Sequence, residues 1–320
     1  MKKLVLLFAT AFVAIGVSAR DYISIVGSST VFPFASVVSE AHGKSGFKSP
    51  HIESTGSGGG MKLFCAGVGT KHPDITNASR AIKSSEKKLC ASNGVTPVER
   101  LIGYDGIAFA NSIDGKKFSL TKEEIYLAIA KKVPAGKTGQ SYNKDQMIDN
   151  PFTHWNQINS KLPNQPIDVL APPPTSGTRD AFVELVMHKT CKSYGMPKKG
   201  DKGYKKQCSQ VREDQHVSIV GENDNLIIQK LGNDSNRFGI FGFSFLDQNM
   251  DKVQGATING KDATFETIAD GSYPISRPLF YYIKKEHMES IPGINEYDKL
   301  FSEMAKPEGR LEDLGLITIQ

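Results

Sequence analysis

Three times along this chain, a short run of β-branched residues ends in a turn of Gly, Ser and Thr that leads directly into a helical pattern. The turns are Gly27–Val31, Thr55–Gly60 and Thr175–Arg179. Strand–turn–helix units that repeat in this way are typical of α/β proteins, in which helices pack against the faces of a sheet. We therefore predict an α/β fold in which each of these turns follows a strand.

Other segments complete this prediction. Thr121 followed by Glu124 forms a capping box and predicts the start of a helix, and the Gly-, Asn- and Pro-rich stretch Pro134–Pro151 is interpreted as an ordered loop or hairpin. Strands are predicted at Tyr22–Gly27, His51–Thr55, Asp74–Ser79, Ile102–Ser112, Pro166–Pro172, Phe238–Phe245 and Pro278–Lys285.

The first residues predict export from the cytoplasm. Met1–Lys3 is basic, Leu4–Val17 is an uninterrupted apolar run, and Val17–Ala19 supplies the small residues of a cleavage site. Residues 1–19 are therefore expected to be a secretory signal peptide, which is too short to be a membrane span. No Cys lies at the cleavage point, so we expect an unlipidated, soluble protein of the periplasm.

The composition argues against a nucleic-acid partner. The 320 residues are 39% hydrophobic and 23% charged, and the formal net charge of +5 is small and scattered. The Lys-rich stretch Lys192–Gln207 is interpreted as a solvated loop.

Four cysteines, Cys65, Cys90, Cys191 and Cys208, follow the signal peptide. An even number in an exported chain predicts two disulfides, and the spacings match no zinc-binding pattern. Pairing of nearest neighbours would join Cys65 to Cys90 and Cys191 to Cys208, although the sequence does not determine the connectivity.

The three turns are candidate anion sites. The first N–H groups of a helix have no partner within the helix, and the helix dipole places partial positive charge there. Small residues let these N–H groups approach a ligand, and Ser and Thr hydroxyls add donors. A single turn of this kind is usually a helix cap, but three turns in one exported chain, with Arg80 and Arg179 nearby, favour a shared oxyanion site.

At these residues the chain resembles a known family. GSSTVFP, TGSGGGMK, DITNASR, SGTRDAF, FGIFGFSF and GSYPISRPLFYYI occur in this order, and together they resemble the periplasmic phosphate-binding protein of the phosphate-specific ABC transporter. The resemblance implies a type II periplasmic-binding fold with two α/β lobes and a ligand cleft between them. Lobe 1 would contain residues 20–103 and 251–320, and lobe 2 would contain residues 104–250.

The resemblance also implies a set of phosphate-binding residues. In this sequence they are Ser29, Thr30, Val31, Ser57, Arg80, Ser176, Gly177 and Thr178, with Arg179 as a candidate charge partner. The sequence departs from the family at two positions. Arg80 stands where well-known members carry an Asp that accepts a proton from phosphate, and Pro172 stands where they carry an Arg.

We therefore expect a solute-binding protein that captures inorganic phosphate reversibly and delivers it, as a monomer, to the permease of an ABC transporter. The alternatives are the same fold with another oxyanion, such as sulfate, molybdate or a phosphonate, a phosphate-binding surface or matrix protein, or a secreted phosphatase. The chain has no G-x-S-x-G elbow and no H-E-x-x-H helix, and its seven histidines include no pair four residues apart. We predict no catalytic residue, no metal ion and no cofactor.

Overall fold

The computed structural model describes residues 20–136, 143–194, 207, 210–221 and 223–319. The predicted signal peptide, residues 1–19, and Cys208 lie outside these ranges. In the described part of the chain, none of the helices combines the length and the apolar character that crossing a membrane requires.

Strands and short helices alternate along the chain. The strands are β1 (Ser24–Gly27), β2 (His51–Ser54), β3 (Ile75–Ala78), β4 (Pro97–Ser112), β5 (Ser119–Leu120), β6 (Lys132–Ala135), β7 (Asn143–Asp149), β8 (Val169–Ala171), β9 (Val217–Ile219), β10 (Phe238–Gly242), β11 (Val253–Gly255), β12 (Thr257–Ile258) and β13 (Ser276–Lys284). The α-helices are α1 (Phe32–Lys44), α2 (Gly56–Phe64), α3 (Ser84–Ser92), α4 (Lys122–Ile129), α5 (Trp155–Ile158), α6 (Gly177–Phe182), α7 (Lys189–Ser193), α8 (Asp224–Gly232), α9 (Phe243–Asp247), α10 (Phe265–Ala269) and α11 (Ile294–Met304). A π-helix, Val183–His188, joins α6 to α7, and Lys285–His287 forms a 3₁₀ turn.

One long strand, β4, connects two lobes. Residues 97–106 of β4 pair antiparallel with β13, and residues 107–111 pair antiparallel with β10. The strand order is β2-β1-β3-β13-β4 on the first side and β4-β10-β8-β9 on the second, with β11 also paired to β4. Because β1 is parallel to both β2 and β3, the carboxyl ends of these three strands meet at one edge of the sheet.

Each lobe has its own core. In the second lobe, the buried ring of Trp155 packs against Phe109, Phe118 and Phe238, with ring centroids 5.4–6.1 Å away. In the first lobe, α1 and α11 pack together, and Tyr297 and Phe301 of α11 are fully buried. The predicted two-lobed α/β fold is confirmed.

The packing also bears on the domain boundary. Apolar residues between Val253 and Ile275 lie in the core of the second lobe, whereas Leu279 and Tyr281 lie in the core of the first lobe. The sequence assigned residues 251–320 to lobe 1. We propose instead that the chain returns to lobe 1 within β13.

Several local predictions are confirmed. The Thr121 hydroxyl accepts from the Glu124 N–H at 3.1 Å, Glu124 accepts from the Thr121 N–H at 2.7 Å, and β6 pairs with β7 as a hairpin. Cys65 and Cys90 form a disulfide, and Cys191 is also disulfide-bonded. The predicted strands Pro166–Pro172 and Phe238–Phe245 were both too long, and β8 covers only Val169–Ala171. Strand β10 ends at Gly242, and α9 follows because Phe243 and Leu246, three residues apart, both bury their side chains on one helix face.

Candidate ligand-binding site

A polar cavity of about 500 Å³ lies at the shared edge of β1, β2 and β3, between the two lobes. The turns that follow these strands form one wall, and the helical segment that begins with α6 forms part of the opposite wall. Among the residues predicted to bind a ligand, Ser29, Thr30, Ser57 and Arg80 all line this cavity. The first two Gly/Ser/Thr turns and the end of the third strand therefore meet at one cavity.

The first turn is held closely against the end of β3. Gly27 has a φ of +126°, and a Cβ at this position would lie 2.2 Å from the Asn77 carbonyl oxygen, so no other residue fits. The Ser28 N–H donates to the same carbonyl at 2.9 Å. Ser28 and Thr30 are buried, and Ser29 is partly exposed. The side chain of Val31 lies fully in the core of lobe 1, so this residue can offer a ligand only its backbone.

The second turn begins α2 and is tied to the end of β3 through Ser57. The Ser57 hydroxyl oxygen accepts from the Ser79 N–H at 3.0 Å and lies 3.0 Å from the Ser79 hydroxyl. Gly60 allows α2 to approach β1, since a Cβ there would lie 2.5 Å from the Gly27 Cα. Ser57 is thus fixed at the helix start, with one hydroxyl proton to donate.

Arg80, just beyond β3, is paired within its own lobe. Its Nη1 and Nη2 donate to the two carboxylate oxygens of Glu86 at 2.9 and 2.7 Å. The hydrogen bonds to Glu86 raise the pKa of Arg80, because they stabilise the guanidinium. Arg80 therefore lines the cavity as a rigid, partly neutralised charge.

The turn of the second lobe contacts the first turn directly. The Thr30 hydroxyl lies 3.5 Å from the Gly177 carbonyl oxygen, and a Cβ on Gly177 would lie 3.1 Å from the Thr30 Cα. The Ser29 hydroxyl donates to the carboxylate of Asp180, on α6. Ser176, Gly177 and Thr178 are partly exposed. None of these three residues lines the cavity, but Gly177 lies against the first turn, which does.

Arg179 lies on the other side of α6. It lines a neighbouring cavity of about 770 Å³ in lobe 2, together with Lys131 and Arg212. Arg179 is only 6% exposed, and its Nη1 donates to the Pro172 carbonyl oxygen at 3.0 Å. Burial lowers the pKa of Arg179, and the charge of Glu213 opposes this shift. Within the described ranges, no carboxylate forms an ion pair with Arg179.

Asp180 and Val183 line both cavities, so the two cavities are neighbours. The sequence interpretation brought Arg179 into the same site as Ser57. The structure instead places its guanidinium behind the helix whose first turn faces lobe 1.

Glu184, His188 and Arg277 are among the polar residues that line the first cavity without having been predicted from the sequence. Glu184 and His188 belong to the π-helix that continues from α6. A π-helix has a different number of residues per turn from an α-helix, so sequence spacing does not reveal which of its side chains share a face. Arg277 lies on β13, within the GSYPISRPLFYYI segment, and faces Asp105 of β4 in register. A pairing of Arg277 with Asp105 on neighbouring strands would have identified this residue, but the sequence does not reveal which strands pair.

The charges around the cavity are nearly balanced. Arg80, Lys83 and Arg277 supply positive charge, and Asp180 and Glu184 supply negative charge. Burial raises the pKa of Asp105, and the neighbouring Arg277 acts in the opposite direction. In the described part of the chain, no group of three or more His, Cys, Asp or Glu residues is arranged to hold a metal ion. Neutral donors therefore have to contribute much of any affinity for an anion.

Comparisons with known proteins agree with this architecture. A family model described as the PBP superfamily domain matches residues 13–303. Protein SphX of Synechocystis is 31% identical over 301 residues, which cover 90% of this chain and 77% of that protein. The phosphate-binding protein PstS of Staphylococcus saprophyticus is 29% identical over 302 residues and covers 92% of this chain and 79% of its own length.

A solved structure is also similar. The crystal structure of a possible phosphate binding protein from Planctomyces limnophilus superposes with a TM-score of 0.73 at 25% identity, covering 95% of this chain and 94% of its own. PstS from Borrelia burgdorferi, with a TM-score of 0.60 at 19% identity, shares the fold.

Proposed function

Because this chain belongs to the PBP superfamily, we propose that it is a solute-binding protein that captures inorganic phosphate between its lobes and delivers it to the permease of an ABC transporter. The observation that carries the proposal is the meeting of hydroxyl-bearing turns from both lobes, where Thr30 lies 3.5 Å from Gly177. Relatives named for phosphate binding support the choice of ligand.

The proposed ligand set comes from both lobes. The first turn would contribute the backbone of Ser29 and Val31 together with Thr30, since the Ser29 hydroxyl proton is directed at Asp180, and Ser57 would donate from the start of α2. The Ser176–Thr178 turn would contribute from the second lobe. A tetrahedral oxyanion suits this arrangement because it can accept several hydrogen bonds from N–H and O–H groups that point to a common centre.

The two arginines have different proposed roles. Arg80 is held by Glu86 and would orient toward the anion as a fixed charge. Arg179 is buried beside α6 without an ion-pair partner among the described residues, and its positive charge would favour an anion at the start of that helix. A charge in a poorly solvated position acts over a longer range than one in water.

Capture would require no chemistry. An open form would admit phosphate, and the closed form would make hydrogen bonds with the anion that the open form cannot make, so the ligand would shift the population toward closure. We propose that the protein is exported after cleavage of residues 1–19, acts as a monomer and has no catalytic activity.

Titration calorimetry with phosphate, sulfate, molybdate and a simple phosphonate, each added to the purified mature chain, tests the proposal. Phosphate should bind at least about tenfold more tightly than the other anions, a difference of about 1.4 kcal/mol. Tighter binding of another oxyanion would favour the alternative in which a protein of this fold binds that oxyanion instead of phosphate. Turnover of a chromogenic phosphate ester would favour the alternative of a secreted phosphatase.

A further inference from the structure

Arg277 contacts the long strand β4 and one residue from each lobe at the edge of the cavity. It lies on β13 and is 6% exposed. Nε donates to Asp105 on β4 at 3.3 Å, Nη1 donates to Glu184 of lobe 2 at 3.0 Å, and Nη2 donates to the hydroxyl oxygen of Thr30 in lobe 1. Each guanidinium nitrogen therefore contacts a different structural element.

The contact with Arg277 restricts the direction in which the Thr30 hydroxyl, which lines the cavity, can point its proton. A hydroxyl group carries one proton, and a guanidinium can only donate. Because Arg277 donates to the Thr30 oxygen, the Thr30 proton must point elsewhere. The Gly177 carbonyl oxygen, to which this hydroxyl is directed, lies 3.5 Å away, at the limit for a hydrogen bond. The proton is therefore available to an anion in the cavity.

Asp105 and Glu184 explain why the guanidinium keeps this orientation. Asp105 faces Arg277 in the strand register, and Glu184 approaches from the π-helix of the other lobe. Two carboxylates on different elements hold Nε and Nη1, and this leaves Nη2 directed at Thr30. A lysine at this position would direct its three N–H donors from a single atom, and it could not reproduce the planar, separated arrangement in which three guanidinium nitrogens meet these partners.

We propose that Arg277 is a positioning residue of the ligand site, which orients the Thr30 hydroxyl so that its proton is donated to the bound anion. This inference rests on the proposed function, since it assumes an anion in the cavity. It assigns the effect of Arg277 to Thr30 and not to direct contact between the guanidinium and the ligand. The two possibilities differ in a double-mutant cycle.

The cycle compares wild type, Arg277→Gln, Thr30→Val and the double variant by calorimetric titration with inorganic phosphate. Each single change should weaken binding about tenfold or more, because a hydrogen bond to a charged ligand is lost or misdirected. The double variant should be no more than about twofold weaker than Thr30→Val, because Arg277 has nothing left to orient. Additive losses, about a hundredfold or more together, would overturn the inference and assign Arg277 to direct ligand contact.

Two further variants keep the test independent of folding. Glu184→Gln changes a side chain that is 45% exposed, and it should weaken phosphate binding as Arg277→Gln does. In a protein that already carries Thr30→Val, Glu184→Gln should have no further effect on phosphate binding. Arg100→Lys alters an ion pair with Asp298 outside the cavity and should leave phosphate affinity unchanged. If wild type binds no phosphate, the proposed function fails; if wild type binds and Glu184→Gln has no effect, the inference alone fails.

Discussion

The hydroxyl of Ser29, in the first lobe, donates a hydrogen bond to the carboxylate of Asp180, in the second lobe. The two residues are 151 positions apart in sequence, and their contact lies at the mouth of the candidate site. A direct bond between lobes stabilises the closed arrangement relative to any form in which the lobes separate.

Removing either partner should therefore open the ligand-free protein. In Asp180→Ala and in Ser29→Ala we expect the same shift toward the open form, because each change removes the same hydrogen bond. The radius of gyration from small-angle X-ray scattering should increase in both variants without phosphate. Asp251→Ala, at an exposed site in a turn, is the matched control. An unchanged radius in both Ser29 and Asp180 variants would show that this bond does not hold the lobes together.

Ser57→Ala should weaken phosphate binding about fivefold to tenfold, because a charged ligand loses one donor at a helix start. The change also removes the acceptor of the Ser79 N–H, so a loss of stability of about 1 kcal/mol should accompany it. Calorimetric titration and urea unfolding measure the two effects separately. Ser36→Ala, which removes an exposed hydroxyl bonded to the Phe32 carbonyl, should change neither affinity nor ligand specificity. Wild-type affinity in Ser57→Ala would remove this residue from the site.

Arg179→Met tests whether a charge behind α6 contributes to binding. We expect phosphate affinity to fall about fivefold or more, since the start of the helix loses a nearby positive charge. The free energy of unfolding should stay the same or rise, because a buried charge that forms no ion pair with any residue the structure describes is replaced by an apolar side chain of similar volume. Lys131→Met removes an exposed charge from the same neighbouring cavity and is the control. Equal affinities for wild type and Arg179→Met would contradict the role proposed for Arg179.

Asp224 should make stability depend on pH. Burial raises the pKa of this carboxyl from 3.8 to about 6, in spite of the hydrogen bond that it accepts from the Gly242 N–H. The folded protein therefore holds the proton more tightly than the unfolded chain does. The resulting contribution to stability is complete below about pH 4 and is lost as the pH rises through about 6.

In Asp224→Asn this loss should disappear. The change in the free energy of unfolding between about pH 4 and about pH 7.5 should be smaller than in wild type by about 2 kcal/mol, since one pKa unit corresponds to about 1.4 kcal/mol. Urea unfolding at a series of pH values measures it. Asp251→Asn should keep the pH dependence of wild type. Identical profiles for Asp224→Asn and wild type would refute the assignment.

Local features of the sequence predicted much of the fold because they act between near neighbours. The Thr121–Glu124 capping box and the run of short β-branched segments depend on residues a few positions apart, and both were found where expected. The bidentate pair of Arg80 and Glu86, six positions apart, was within reach of the same reasoning. FGIFGFSF was misread in its second half, because a short apolar run does not distinguish a strand from a buried helix.

The sequence by itself determined that Gly/Ser/Thr turns begin helices after strands, because unpaired N–H groups at a helix start select those residue types. Only the tertiary structure decided which side chains share one cavity. Arg277 reaches Thr30 across 247 positions, and Arg179 faces away from Ser57, although both arginines are close in sequence to a recognisable motif. The register between β13 and β4 sets Arg277 opposite Asp105, and this register depends on long-range strand pairing that no local pattern records.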